Sequence, residues 1–245
     1  MPCHTPRHLS TAKLPQTAVP EPYSKMEKHK GLIATMVVIL IVVLDQWLKI
    51  WVKTHFYLGE DFEILPWFQL FFIENNGMAF GLEMGSKLIL SIFRVIAVAA
   101  LLYYIFWLVK RGGVRYGYLI CIALVAAGAA GNIIDCIFYG RIFDNPAPPQ
   151  VATLFPEGGG YASWLHGKVV DMLYFPLVSF DWPAWVPFVG GQHFIFFQPV
   201  FNIADAAISV GVIILFIFYS KYISELHFKP EIEVGNKDSD EEKQP

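Results

Sequence analysis

Charge is scarce in this chain: 16% of its 245 residues are Asp, Glu, Lys or Arg, against 55% that are hydrophobic. That balance excludes an ordinary soluble domain, where about a quarter of residues are charged. Cysteine is scarcer still. Cys3, Cys121 and Cys136 form no disulfide framework; one lies in the leader and two lie in or beside an apolar run, where packing is their expected role. No HExxH or comparable ligand spacing accompanies His166 or His193, and no GxSxG elbow is present. Metal-dependent hydrolysis and a serine nucleophile are therefore not expected, and no metal or cofactor is assigned. The net charge of -3 arises in the acidic tail GNKDSDEEKQP, and no nucleic-acid partner is indicated.

What the chain has is long apolar runs. A membrane-spanning helix needs about 20 such residues, and four windows come close: 31–52, 88–109, 116–134 and 203–220. Several are rich in β-branched and aromatic residues, but their length favours helix over strand. Basic residues cluster before the first span (Lys25, Lys28, Lys30), between the second and third (Lys110, Arg111, Arg115) and after the fourth (Lys221, Lys229). The positive-inside rule then makes both termini cytoplasmic and turns segments 53–87 and 138–200 outward. Residues 1–25 and 225–245 read as disordered extensions flanking a membrane domain at 26–224.

Few polar residues interrupt the spans, and their depths agree. At about 1.5 Å per residue, Asp45 and Lys49 lie roughly 20–27 Å up the first helix, in the outer half of a ~30 Å core. Asn132 and Asp135 come a similar distance up the third helix, and Asn202 and Asp205 open the fourth at its outer end. Each pair has a local explanation. Asp45 and Lys49 are spaced for an i,i+4 salt bridge, and the i,i+3 pairs for capping. Independent caps have no reason to converge on one leaflet, and a charged side chain in hydrocarbon costs at least ~2.5–3.5 kcal/mol, so a shared intramembrane polar site fits better. The small residues AAGAAG at 126–131 would let the third helix pack inside a bundle.

The first outward segment, LPWFQLFFIENNGMAFGLEMG, is aromatic and β-prone up to Glu74, then turn-forming. It reads as a small sheet at headgroup level, with Asn75 and Asn76 as turn residues on physics alone. The second is long and centred on Pro- and Gly-bearing stretches, with Asp171 embedded in HGKVVDMLYF. The expected architecture is an all-α membrane protein of four transmembrane helices, with a small extracytoplasmic β-rich subdomain and a long extracytoplasmic loop.

Five motifs in order, DQWLK at 45–49, NNGMAFG at 75–81, GNIID at 131–135, VVDM at 169–172 and FNIAD at 201–205, resemble those of the lipoprotein signal peptidase (signal peptidase II) family. The resemblance spans roughly 26–222. It implies an aspartic endopeptidase of the bacterial cytoplasmic membrane that cleaves diacylglyceryl-modified prolipoproteins before the lipidated cysteine. The implied catalytic pair is Asp171 and Asp205. Asp45, Lys49, Asn75, Gly77, Ala79, Phe80, Asn132, Asp135 and Asn202 would support the site or bind substrate.

Two departures accompany the match. Where the family has Arg after the Asp of GN-x-x-D, this chain has Cys136, with Arg141 a candidate replacement. The interval from Asp135 to Asp171 is also long, which makes Asp135 the alternative member of the pair. Membrane lipid is an expected partner, and a monomer suffices for a site built within one bundle. The competing reading is a non-enzymatic four-helix transporter or assembly factor with an outer-leaflet polar site. It would place ionisable groups at several depths, whereas the spans carry them almost wholly in one layer; Arg94, in the second span, is expected to meet that layer or a lipid phosphate.

Overall fold

A computed structural model describes the chain over residues 21–75 and 87–228. Among the described residues, four helical stretches are long and apolar enough to cross a membrane: His29–His55, Lys87–Arg111, Tyr116–Ile142 and Ile203–Leu226. They belong to α1 (Glu21–His55), α2 (Lys87–Arg111), α3 (Tyr116–Ile134) with its continuation, and α5 (Ile203–Phe228). In hydrocarbon only a helix satisfies every backbone group within one segment, so runs of this composition and length adopt it. Both outer helices exceed the expected spans. The helix of α1 already begins at Glu21, and that of α5 continues into the stretch expected as tail.

Helix α3 is the axis of the bundle, packed chiefly against α5 and α1. Its small residues make this possible: Ala123, Ala126 and Ala127 have no exposed surface. A Cβ on Gly128 would run into the Ala204 carbonyl oxygen, and one on Gly131 would lie 2.7 Å from Asp45 Oδ2 and 3.1 Å from Ala204 Cβ. The AAGAAG stretch is thus where α5 approaches the backbone of α3 closely and where the Asp45 side chain of α1 fits against it.

The sheet at one end of this bundle is larger than the sequence suggests, because it draws on both of the long segments between helices. Strands β1 (Asp61–Leu65) and β2 (Phe68–Asn75) come from the first, and β3 (Val169–Tyr174) and β6 (Val200–Phe201) from the second; the order is β1-β2-β3-β6, antiparallel throughout. Pairing of Leu173 with Phe201 carries the chain from β3's edge directly into the head of α5. A separate two-stranded hairpin, β4 (Val178–Asp181) with β5 (His193–Phe196), stands between β3 and β6. The sheet rests on the bundle through an apolar core of Val52 and Phe56 from α1, Leu70 and Phe72 from β2, Val170 and Met172 from β3, and Tyr139 and Phe143.

The long interval after Asp135 does not dislodge β3. Helix α3 continues through a π-helical turn at Asp135–Tyr139 and a final turn, α4 (Gly140–Ile142), before the chain loops away. It returns to its point of departure, where Gly167 N donates to Cys136 O at 2.9 Å and Leu165 N to Ile137 O at 3.3 Å. The inserted loop is also tied to the sheet. Buried Lys53 pairs with Glu74, which binds Lys168 at 3.2 Å, and the rings of Phe143 and Tyr161 lie 5.2 and 5.5 Å from the Lys53 ammonium.

Gly167 is required at that closure, since a Cβ there would strike the Asp135 and Cys136 carbonyl oxygens, both rigid backbone atoms. Gly167→Ala should cost about 1–3 kcal/mol of stability and reduce activity by displacing β3. Gly158→Ala, in open space on the same loop, should do neither. Thermal unfolding and turnover of the two purified variants, compared side by side, check this.

Candidate active site

The six polar residues that share one depth in the sequence meet in a single network. Its centre is Lys49, whose side chain has no exposed surface. Lys49 Nζ lies 2.9 Å from Asp45 Oδ2 and 2.8 Å from Asp135 Oδ2, and donates to Asn132 Oδ1 at 2.9 Å. An ammonium has three protons and here finds three acceptors. The i,i+4 spacing of Asp45 and Lys49 is therefore a real salt bridge, and it is extended by α3.

Each carboxylate beside Lys49 also holds a distant element. Asp45 Oδ1 accepts the Ala204 backbone N–H at 2.9 Å, so a side chain of α1 satisfies one of the free amides at the head of α5. Negative charge is favoured at that end of a helix. Asp135 Oδ2 accepts the backbone N–H of Val170 at 3.3 Å, which ties β3 to the end of α3. With both oxygens engaged and no exposed surface, Asp135 is occupied in structure.

Asn202 and Asp205 form a reciprocal cap on α5. Asn202 Oδ1 accepts Asp205 N at 2.9 Å, and Asp205 Oδ2 accepts Asn202 N at 3.3 Å. This is a capping-box arrangement with Asn and Asp in the two roles. The capping explanation for this pair is thus correct as far as it goes, yet it does not exhaust either residue. Asn202 Nδ2 donates to Asp171 Oδ1 at 2.6 Å and also approaches Val170 O and Asn132 Oδ1; Asn132 Nδ2 donates to Asp205 Oδ1 at 2.7 Å. One buried carboxamide, Asn202, consequently touches both Asp171 and Asp205.

Asp171 enters this cluster from β3. On β2, Ile73 stands opposite Asp171 and Asn75 opposite Val169, so Asn75 is the diagonal neighbour of Asp171, and its Nδ2 donates to Asp171 Oδ2. Asn75 is therefore more than the turn residue that physics alone suggested. Gly77, Ala79 and Phe80 lie outside the described residues. The Asp171 side chain is buried whereas Asp205 is partly exposed. Burial, and next the charge of Asp205, push the Asp171 carboxyl up to about 7, against the opposing influence of Lys49, Asn202 and Asn75.

Three participants escape the sequence reading. Gln46 donates through Nε2 to Asp135 Oδ1 at 2.8 Å and to the Gly131 carbonyl at 3.1 Å, and its Oε1 accepts from the Tyr139 hydroxyl at 3.2 Å. It sits inside DQWLK, and its position beside Asp45 was the available signal. Lys53 and Glu74, one turn above Lys49 and one residue before Asn75, are the others, and they form a buried pair of their own beside the network. Arg141 does not supply the guanidinium expected near Cys136: it lies exposed on α4, and Arg94 of α2 reaches Cys136 Sγ instead, Nη1 at 3.4 Å. Arg94 was expected to meet the polar layer or a lipid phosphate, and it reaches Cys136, the residue that follows Asp135.

Comparison with known proteins places the chain in a family. The sequence profile described as "Signal peptidase (SPase) II" matches residues 37–221. The chain belongs to the signal peptidase II family. The lipoprotein signal peptidase of Porphyromonas gingivalis (strain ATCC 33277) is 49% identical over 197 residues, 80% of this chain and 87% of that protein. That of Amoebophilus asiaticus (strain 5a2) is 40% identical over 185 residues, 73% of this chain and 74% of that protein. A solved bacterial membrane enzyme, determined by the in meso method at 2.3 Å resolution, shares the fold with a TM-score of 0.52 at 24% identity, over 82% of this chain and 94% of that one. As a member of this family the chain is a multi-pass bacterial membrane protease that acts on lipoproteins.

Two outcomes follow from the geometry of this peptidase. Replacing Lys49 with Met would leave Asp45 and Asp135 buried together without their cation, at a cost of about 3–5 kcal/mol. Thermal unfolding in detergent should register it as a large fall in Tm, accompanied by loss of cleavage. The second concerns Asp171. Its folded value lies above the ordinary one near 4, so stability is complete below about pH 4 and declines as pH rises to about 7. Asp171→Asn lacks this decline, so its Tm relative to the parent should climb between those limits and level off above. A Tm difference that stays constant with pH would contradict the assignment.

Proposed function

We propose that Asp171 and Asp205 are the catalytic dyad of an aspartic endopeptidase that cuts diacylglyceryl-modified prolipoproteins immediately before the lipidated cysteine. The observation that carries this reading is Asn202, which hydrogen-bonds Asp171 through its side chain and Asp205 through its backbone and Oδ1. Hydrolysis without a covalent intermediate needs a base to take a proton from water as its oxygen attacks the carbonyl carbon, and an acid to give a proton to the leaving nitrogen as the C–N bond breaks. Two carboxyl groups sharing one proton perform both tasks. Their closeness opposes double ionisation, which is consistent with the raised value for Asp171. The proton belongs to the pair, and neither residue is named as acid or base.

The remaining polar residues position the pair. Asp45 fixes the head of α5, Asp135 fixes β3, and Lys49 neutralises charge between them, while Asn132 steadies Asp205 and Asn75 steadies Asp171. Asp135, with Lys49 and Gln46 on its oxygens, is better suited to this role than to the dyad. Gly77, Ala79 and Phe80 would complete the substrate-binding side.

The substrate's acyl chains keep it in the bilayer, so its scissile bond is held near the membrane surface, the depth of Asp205 at the head of α5. Basic residues gather at the opposite end of the bundle, where Arg111 Nη1 donates to Leu226 O at 2.9 Å and Arg115 lies 4.9 Å from the Tyr222 ring. By the positive-inside rule that end is cytoplasmic, which puts both termini inside and the dyad at the outer leaflet of the cytoplasmic membrane. One chain, through its bundle and its sheet, supplies every proposed participant, so a monomer with surrounding lipid suffices. A transporter reading lacks support, because the runs 31–44 of α1 and 116–131 of α3 contain no ionisable Asp, Glu, Lys, Arg or His.

Cleavage of a diacylglyceryl-modified prolipoprotein by the purified protein tests the proposal. Asp171→Asn and Asp205→Asn should each remain folded and lose activity by at least about 100-fold, as expected for loss of acid–base catalysis. Chelator should have no effect on the parent. Retained cleavage by Asp171→Asn, with loss in Asp135→Asn while that variant stays folded, would move the dyad to Asp135.

A further inference from the structure

The β4–β5 hairpin is unexplained by the peptidase chemistry. It is a free-standing two-stranded sheet whose residues are exposed on both faces, Ile195 alone being half-buried within the strands. Such a unit is marginal in water unless something covers it. Its composition is unlike that of the other inserted loop. Between 177 and 197 the only ionisable side chains are Asp181 and His193, and His193 Nδ1 lies 2.7 Å from Asp181 Oδ1. The rest is largely aromatic and apolar, with Trp185 81% exposed and Phe188 fully exposed.

The tip is built to hold these rings outward. Trp182 N donates to Gln192 O at 2.9 Å and Gly191 N to Trp182 O at 2.8 Å, closing the turn, and Phe180, Trp182 and Phe194 pack together with centroids 5.0–6.0 Å apart. Phe188 sits at φ 68°. A bulky residue in the left-handed region is strained, and here that backbone accompanies the most exposed ring among the described residues.

Chain connection fixes where this surface lies. Only residues 197–202 separate β5 from the head of α5, whose Val210, Ile213, Phe216 and Ile217 form an exposed apolar flank suited to acyl chains. An aromatic band joins the two. Trp67 and Phe68 lie against Phe175 at 6.4 and 4.8 Å, Phe175 against Phe201 at 5.5 Å, and Phe201 against Phe197 at 6.1 Å, at the foot of the hairpin. Aromatic rings concentrate at the boundary between hydrocarbon and water.

From the free-standing sheet, its near-absence of charge and this continuous band, we infer that the β4–β5 hairpin docks in the bilayer interface at the sheet end of the bundle, with Trp185 and Phe188 buried among lipid. It is a second, non-helical membrane anchor inserted between Asp171 and Asp205. Without a Lys or Arg, it binds by apolar burial, and salt leaves it in place.

The test uses the full chain with Cys3→Ala, carrying either Phe188→Cys or Gly158→Cys, each labelled with an environment-sensitive fluorophore; Cys121 and Cys136 are buried. Trp185→Cys serves if the first variant folds poorly. The protein is reconstituted in phosphatidylcholine nanodiscs with ordinary or brominated acyl chains. The expected result is a blue-shifted label at 188 that loses emission in brominated lipid, unchanged in high salt, and neither effect at 158. A label at 188 that behaves like the one at 158 would overturn the inference. A shift without bromine quenching also overturns it, pointing to a second copy if it follows the protein-to-lipid ratio and to the peptide if it appears only on adding lipopeptide. None of these readings depends on cleavage, so they stand apart from the dyad.

Discussion

A single buried ammonium organises this molecule. Lys49 is bound by carboxylates from two helices, and each of those carboxylates reaches past it to a backbone amide of a third element. In hydrocarbon a lone cation or anion would be prohibitive, so the three charges can exist there only together. That mutual dependence turns electrostatics into geometry. Once α1 and α3 share the cation, the head of α5 and the strand bearing Asp171 have fixed places to attach.

The small residues of α3 serve the same end. Gly131 leaves room for Asp45 and Ala204 at once, so the hydrogen bond that ends at α5 needs no bulky detour. The π-helical turn that follows Gly131 opens α3 at Asp135, a common feature of functional helices, and lets the chain leave the bundle beside the point at which Gly167 brings it back. The insertion between Asp135 and Asp171 is long in sequence but closed in space.

Most of the helical plan was legible in the sequence, because hydrocarbon imposes a length and a composition that few other environments require. The convergence of Asp45, Lys49, Asn132, Asp135, Asn202 and Asp205 was legible too, since depth in a membrane helix follows from counting residues. The sheet was only half visible. Strand β3 pairs with β2 across the whole of α2 and α3, and no local pattern around Val169 announces a partner so remote. Gln46 was overlooked because an amide beside an acid reads as incidental polarity until its acceptors are known. The guanidinium beside Cys136 was missed for a related reason: Arg94 and Cys136 lie on different helices, and sequence proximity pointed to Arg141.

Asp171 and Asp205 differ in the kind of element that bears them. Asp171 is carried by a strand of the sheet at the end of the bundle, and Asp205 by the first turn of a lipid-embedded helix. Their separation is therefore set partly by how far the sheet stands above the hydrocarbon. A bilayer that is too thick or too thin for α5 is accommodated by tilt, at a cost of fractions of a kcal/mol per Å. Tilt at α5 moves one carboxylate directly and the other through Asn202, the β3–β6 pairing and the Asp45–Lys49–Asp135 chain. The thickness of the host membrane is thus mechanically connected to the spacing of the pair.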